Sequence, residues 1–192
     1  MFASEASAGT VSYNTNTSQL CIGAAGCGVA TQTIGGSSGV TITYIAESAG
    51  LVDANPTSFA GLGRIEVSCV GGGTTCGEQS LAGLNLYINV TQSGPSAGVG
   101  LLPALSFSGS IGGASSSALG TTSLTTALIG AVTYRYFSGN VFLNPPATSN
   151  GRVFLTGVIT DSTPEVPVPA ALPLLLSGLA GLRLASRKKK AA

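Results

Sequence analysis

The body of this chain alternates apolar and polar residues with a period of two, and this pattern restricts its fold most strongly. Within residues 84–91, the aliphatic side chains of Leu84, Leu86, Ile88 and Val90 fall on one side of an extended strand. Runs of alternating, β-branched or aromatic residues also occur at 40–44, 65–69, 105–111, 132–136 and 153–160. Turn-forming segments at 35–39, 71–73, 112–113 and 144–146 separate them. We therefore expect an all-β domain over residues 9–162, with a β-sandwich or jelly-roll-like fold.

Charged residues are few and unevenly placed. They make up 8% of the chain, against roughly 25% in an ordinary soluble domain. Residues 1–165 carry three arginines and seven acidic side chains, a net charge of −4, whereas residues 166–192 carry five basic residues and no acid. An acidic body without a basic patch does not fit a nucleic-acid backbone, so we expect no nucleic-acid partner.

The four cysteines form two close pairs, Cys21 with Cys27 and Cys69 with Cys76, each in a Gly-rich segment. Such segments can fold back tightly, so we expect two local disulfides, which are typical of an oxidising compartment. Free buried thiols are the alternative, and four cysteines allow three connectivities. A zinc site is disfavoured because Cys-x-x-Cys spacings are missing and the chain has no His.

The composition excludes several kinds of catalysis. A chain without His cannot use Ser-His-Asp or Cys-His chemistry, and the absence of Lys before Lys188 excludes Ser-Lys dyads and Schiff bases in the body. Carboxylate pairs remain, either Glu47 with Asp53 or Glu66 with Glu78, and would suit glycoside hydrolysis. Their local sequences give no sign that they converge. We expect a non-enzymatic protein without a cofactor or metal.

The aromatic strip around Arg135 allows two interpretations. Tyr134 and Tyr136 share one side of a strand, and they could pack in the core or face a carbohydrate. Core packing is the interpretation that we favour for both tyrosines.

The C-terminal segment, residues 163–192, has three parts in a fixed order. A Pro-containing motif comes first, then an apolar run, then a basic end. The motif consists of Val166, Pro167, Val168, Pro169, Ala170 and Ala171. The apolar run contains Leu172, Leu174, Leu175, Leu176, Leu179 and Leu182, and the basic residues are Arg183, Arg187, Lys188, Lys189 and Lys190.

Each part has a physical role in membrane targeting. Pro167 and Pro169 hold the backbone extended, in a form that a processing enzyme can thread into its site. A helix over residues 170–184 would measure roughly 22 Å, shorter than the ~30 Å hydrocarbon core. The basic end would stay on the cytoplasmic side and leave the body outside. An apolar run without a polar face disfavours an amphipathic surface helix, and the basic end disfavours a core helix. A permanent single-span anchor remains an alternative.

These three parts together resemble the PEP-CTERM family of sorting signals, most closely its VPLPA-CTERM variant. Val168 replaces the Glu of the commoner Pro-Glu-Pro form, and Arg183 stands where the family usually has Gly or an apolar residue. The resemblance implies a Gram-negative source and recognition by exosortase, an integral-membrane cysteine enzyme thought to cleave its substrate and transfer it. Cleavage is then expected at or near residues 166–171.

An exported body requires a signal peptide, and residues 1–8 resemble only the end of one. Ala6 and Ala8 form an A-x-A pattern before Gly9, without a basic or apolar segment in front of it. We expect the codons upstream of Met1 to encode the remainder.

Together these features predict an exported cell-surface or extracellular-matrix protein, sorted by an exosortase at the inner membrane. A carbohydrate-binding or adhesive module is the alternative, with extracellular polysaccharide as the partner. A carboxylate-dependent glycoside hydrolase is a third hypothesis.

Overall fold

The computed structural model of the protein describes residues 10–54 and 57–161, which form β-strands joined by turns and loops. The helical elements in these ranges are two 3-10 turns, Gly36–Ser38 and Ser149–Gly151. The prediction of an all-β body is therefore confirmed. No helix in the described ranges is long and apolar enough to cross a membrane. The helix predicted for residues 170–184 lies outside these ranges.

Six antiparallel strands, numbered in chain order along with the others, form the large sheet. Their bounds are β3 (Thr31–Ile34), β4 (Val40–Ile45), β6 (Thr57–Cys69), β14 (Ala127–Ile129), β15 (Val132–Tyr136) and β17 (Arg152–Asp161). Their spatial order is β14–β15–β17–β6–β4–β3. The two longest strands, β6 and β17, are neighbours at the centre of this sheet.

The remaining strands form two smaller sheets and a ribbon. The four-stranded sheet has the order β10–β9–β1–β5, with β1 (Thr10–Asn14), β5 (Gly50–Asp53), β9 (Asn89–Gly94) and β10 (Gly98–Leu101). The five-stranded sheet has the order β16–β13–β11–β8–β2, with β2 (Gln19–Ile22), β8 (Leu84–Tyr87), β11 (Leu105–Ser108), β13 (Leu119–Thr121) and β16 (Asn140–Phe142). Strands β7 (Gln79–Ser80) and β12 (Ser110–Ile111) form the ribbon.

One hydrophobic core joins the large sheet to the two smaller ones. In β4 the alternation buries Val40, Ile42 and Tyr44 and turns the intervening threonines outward. The same core cluster contains side chains from the four- and five-stranded sheets. Across it, the ring of Tyr13 in β1 meets the ring of Tyr134 in β15 edge-on at 6.0 Å. Sheets that share a core between facing layers fit a β-sandwich.

Two of the predicted strands are each divided in the structure. Residues 84–91 form the end-to-end strands β8 and β9, which belong to different sheets. The four aliphatic side chains are nevertheless all buried, as the alternation predicts. Residues 105–111 are divided at Gly109, whose φ of 80° interrupts the strand geometry.

Candidate functional site: the outer face of the large sheet

Both predicted disulfides are present. Cys21 is joined to Cys27 and Cys69 to Cys76, with Cα–Cα distances of 5.7 and 5.4 Å. Each bond closes a short loop at the end of a strand, β2 in the first case and β6 in the second. The local pairing predicted from the Gly-rich spacing is confirmed.

The residues predicted for sorting lie outside the described ranges. These are the motif at 166–171, the apolar run at 172–182 and the basic residues at 183–190. Their roles therefore stay predictions.

Three of the four carboxylates considered for catalysis have separate partners, and the fourth, Glu47, lines a surface depression with Arg64. Asp53 accepts a hydrogen bond of 3.0 Å from Thr10, and Glu78 accepts one from Ser110. Glu66 is bonded to two arginines, and the hydrogen bond from Arg64 lowers its pKa below the usual value for Glu. A carboxyl with a lowered pKa is poorly suited to act as a general acid.

Among the described residues, no group of three or more Cys, Asp or Glu side chains lies close enough together to hold a metal ion.

The outer face of the large sheet carries exposed phenylalanines. Phe59 in β6, Phe154 in β17 and Phe137 just after β15 are each more than half exposed. The rings of Phe59 and Phe137 meet edge-on with centroids 5.1 Å apart. These two rings flank Val158. The alternation of β17 turns Val158 towards the outer face, yet its side chain is buried. A soluble domain rarely exposes several large aromatic rings on one face unless they bind something.

All three arginines of the body lie on this same face. Arg64, Arg135 and Arg152 occupy outward positions of β6, β15 and β17. The Nε atoms of Arg64 and Arg152 each lie 2.9 Å from the same Oε1 atom of Glu66. Glu47 also lies on this face, in a depression beside Arg64. Three arginines against Glu47 and Glu66 give the face a net charge of +1 in an otherwise acidic body.

Phe154 stands between two depressions in this surface. The first, of about 210 Å³, is lined by Phe137, Phe142 and Phe154 among others. The second, of about 250 Å³, contains Glu47 and Arg64. Phe154, Leu155 and Thr156 line both, so the two depressions meet at β17, one towards β15 and the other towards β6.

Glycines in β6 leave the second depression open. Gly61 and Gly63 line it, and the register between β6 and β17 shifts at this point. Gly63 has a φ of 106°, and a Cβ there would lie 2.5 Å from the carbonyl oxygen of Ile45. Glycine is therefore needed at position 63 both for the backbone conformation and for the close approach of β4.

Buried tyrosines bind the backbone of this part of β6 from the core side. Tyr13 donates a hydrogen bond of 2.7 Å to the carbonyl of Gly61, and Tyr44 donates one to the carbonyl of Leu62. The Tyr44 hydroxyl also lies 2.8 Å from Oγ1 of Thr15, whose hydroxyl can donate to it. Burial raises the pKa of Tyr13 to about 12, and it raises the pKa of Tyr44 as well. Both hydroxyls therefore stay protonated near neutral pH and can act as donors.

Tyr134 and Tyr136 are fully buried, so the favoured prediction of core packing is confirmed. Tyr134 donates a hydrogen bond of 2.6 Å to Oε1 of Gln92, a glutamine buried in β9. The hydroxyl of Tyr136 is buried without a hydrogen-bond partner among the described residues. The aromatic residues that face solvent on this sheet are instead phenylalanines.

Sequence reasoning missed these phenylalanines. Phe154 lies beside Leu155 in an apolar run, and the strand pattern alone does not show which of the two faces the core. The pairing of Phe154 with Arg64 and of Arg152 with Glu66 depends on the register between distant strands. The sequence does hold a weak indication, because Arg135 falls within a predicted strand and Arg64 and Arg152 directly precede two others.

Comparisons with protein-family models, with characterised proteins and with solved structures gave no significant match.

Proposed function

We propose that this chain is an exported, non-enzymatic protein of the cell surface or extracellular matrix, sorted through residues 163–192. The observation that carries the proposal is the order of the three tail parts: an extended Pro motif, a short apolar run and a basic end. A β-sandwich body, jelly-roll-like in connectivity, would precede a short transmembrane helix.

The two disulfides support export. Disulfides persist in the periplasm and outside the cell, whereas the cytosol keeps thiols reduced. Both bonds close loops of fewer than ten residues, so they can form locally as the body folds in an oxidising compartment.

The length of the apolar run supports transient insertion. Roughly 22 Å of helix is shorter than the hydrocarbon core, so the bilayer must thin or the basic side chains must extend to the interface. Such a segment can hold the chain at the inner membrane while an exosortase-type enzyme acts at residues 166–171. Release of the body to the surface or matrix would follow.

Two tail variants test the proposal in the producing cell. Deleting residues 166–192 should remove both membrane association and processing. Replacing Pro167 and Pro169 with alanine leaves the apolar run intact, so membrane association should persist while processing decreases. Thr163→Ala, just before the motif, is the matched control and should behave as the parent. An unchanged location and mature mass in the deletion variant would contradict the proposal.

A second candidate function is a carbohydrate-binding or adhesive module. The observation that favours it is the group of exposed phenylalanines beside two surface depressions. Aromatic rings offer sugars a flat apolar surface, and neighbouring polar groups can bind the hydroxyls. A glycan array probed with the protein tests this role, and absence of binding to every glycan would count against it.

A further inference from the structure

We propose that the outer face of the large sheet binds a polysaccharide that carries carboxylate groups, with Arg64, Arg152 and Phe154 as its central contacts. This inference rests on the carbohydrate-binding candidate above and specifies its ligand class.

The charge distribution points to an anionic ligand. Among the described residues, all three basic side chains lie on this face, whereas Asp53 and Glu78 lie in the four-stranded sheet and beside the ribbon. With Glu66 between Arg64 and Arg152 and Glu47 in the adjacent depression, three arginines against two glutamates leave this face a net charge of +1. An acidic polymer is therefore attracted here and repelled by much of the remaining body surface.

The geometry of the two arginines points to carboxylate in particular. Each meets Glu66 through its Nε atom, and no hydrogen bond joins their terminal nitrogens to another described residue. Their side chains are 37% and 50% exposed, so these nitrogens can reach a ligand. A planar guanidinium forms paired hydrogen bonds with a planar carboxylate, and Glu66 already occupies the inner side of the pair.

Phe154 supplies the apolar part of the site. It is 73% exposed and lies opposite Arg64 on the neighbouring strand, two residues from Arg152 along β17. A sugar ring stacked on this phenyl group would place its carboxylate near both guanidiniums. Glu47, in the depression beside Phe154, can accept hydrogen bonds from sugar hydroxyls.

The dimensions fit a polymer. From Arg152 to Val158 the strand spans roughly 20 Å at about 3.3 Å per residue. The two depressions extend from Phe154 across the strands, one towards β15 and the other towards β6. A chain of several sugars can therefore lie across the face, with the carboxylate contact at one position.

The binding test uses the full chain in mild detergent and two matched polymers. The basic tail would itself attract polyanions, so the parent protein carries Gln in place of Arg183, Arg187 and Lys188–Lys190. The probes are alginate and the same alginate with its carboxyl groups reduced to alcohols. We expect alginate to bind at least tenfold more tightly than the reduced polymer, with affinity falling as salt is added.

Matched variants locate the site. Arg152→Gln and Phe154→Ala should each weaken alginate binding at least tenfold. Arg135→Gln removes the same charge from the same sheet, but Arg135 lies opposite Val158, about 13 Å along β17 from Phe154. This change should weaken binding clearly less than Arg152→Gln does. Leu51→Ala, at an exposed apolar position of the four-stranded sheet, should leave binding unchanged.

Four results would overturn the inference. Equal binding of both polymers through Phe154 would keep the carbohydrate-binding role but reject carboxylate recognition. Binding of neither polymer, nor of any glycan on the array, would reject both. Equal losses in Arg135→Gln and Arg152→Gln would indicate unspecific charge attraction. A dimer in sedimentation that Phe154→Ala dissociates would assign the face to a second copy of the chain.

Discussion

Tyr134 and Tyr136 form a matched pair for testing how buried polar groups stabilise this body. Both belong to β15, point into the same core and are almost completely buried. They differ in one respect, since Tyr134 donates a hydrogen bond to Gln92 whereas the hydroxyl of Tyr136 has no partner among the described residues. The same Tyr→Phe change should therefore have opposite effects at the two positions.

For Tyr134→Phe we expect a loss of about 1–3 kcal/mol in the free energy of unfolding. The hydrogen bond is 2.6 Å long, and its removal leaves Oε1 of Gln92 unpaired at a site that is 1% exposed. An unsatisfied buried acceptor costs roughly this amount. The Nε2 atom of Gln92 keeps its bond to the carbonyl of Ser96 at 2.8 Å, so the amide cannot rotate freely to find another donor.

For Tyr136→Phe we expect no loss, and a gain of up to about 1 kcal/mol. Removing a buried hydroxyl without a partner removes its desolvation cost, and the phenyl ring retains its packing. Both changes can be measured by urea unfolding of the oxidised protein, monitored by circular dichroism. At this chain length each kcal/mol corresponds to a shift of about 2–4 °C in Tm.

A double mutant separates the hydrogen bond from packing. In a Gln92→Leu background the Tyr134 hydroxyl has lost its acceptor, so Tyr134→Phe should cost nothing or stabilise slightly, as expected for Tyr136→Phe. Equal losses for Tyr134→Phe and Tyr136→Phe, or an undiminished cost of Tyr134→Phe in the Gln92→Leu background, would refute this reasoning.

Three further predictions follow from the fold. Replacing Cys69 and Cys76 with serine should lower the free energy of unfolding by roughly 2–3 kcal/mol, the loop-entropy value for a loop of this size. Urea denaturation measures this loss, and a change below about 0.5 kcal/mol would contradict the prediction. Gly63→Ala should lower the free energy of unfolding by more than about 2 kcal/mol, through backbone strain and a clash with β4. In the control Gly61→Ala the added Cβ meets only the flexible end of a Glu side chain, so the loss should be less than about 1 kcal/mol. Thermal melts that rank the two variants alike would refute the bulge geometry. Burial raises the pKa of Tyr13 to about 12, whereas the pKa in the unfolded chain is 10.0. The free energy of unfolding should therefore fall between about pH 10 and 12, by up to about 1.4 kcal/mol per pH unit for each such tyrosine. Urea unfolding across this range should show the fall, and a flat profile would argue against a buried hydroxyl.

Local patterns in the sequence predicted part of the strands, with core residues on them, and both disulfides. Most of the shorter strands, such as β2 and β13, were not predicted. Alternation identifies β4 and β15 because a half-buried strand must place every second side chain in the core. The same rule placed Tyr134 and Tyr136 inside. Cys69 and Cys76 could be paired because a Gly-rich segment of six residues lets the chain turn back on itself.

Long-range pairing could not be predicted from these patterns. The single run at 84–91 passes from one sheet to another near Ile88, where its hydrogen-bonding partner strands change. The apolar alternation continues unbroken through this point, so it gives no sign of the change. The outer face likewise depends on the register of β6 against β17, which brings Arg152 to Glu66 and Phe154 to Arg64. That register is set by the packing of the whole sheet and by the bulge at Gly63, which no local pattern in the sequence shows.

The most direct test of the account is the C-terminal mass of the mature protein in two strains. In the parent strain, we expect the surface or matrix fraction to contain a chain that ends within or beside residues 166–171. In a strain that lacks the exosortase, the full tail should be retained and the protein should stay with the inner membrane. The same C-terminus and the same location in both strains would contradict the proposal that this tail is a processed sorting signal.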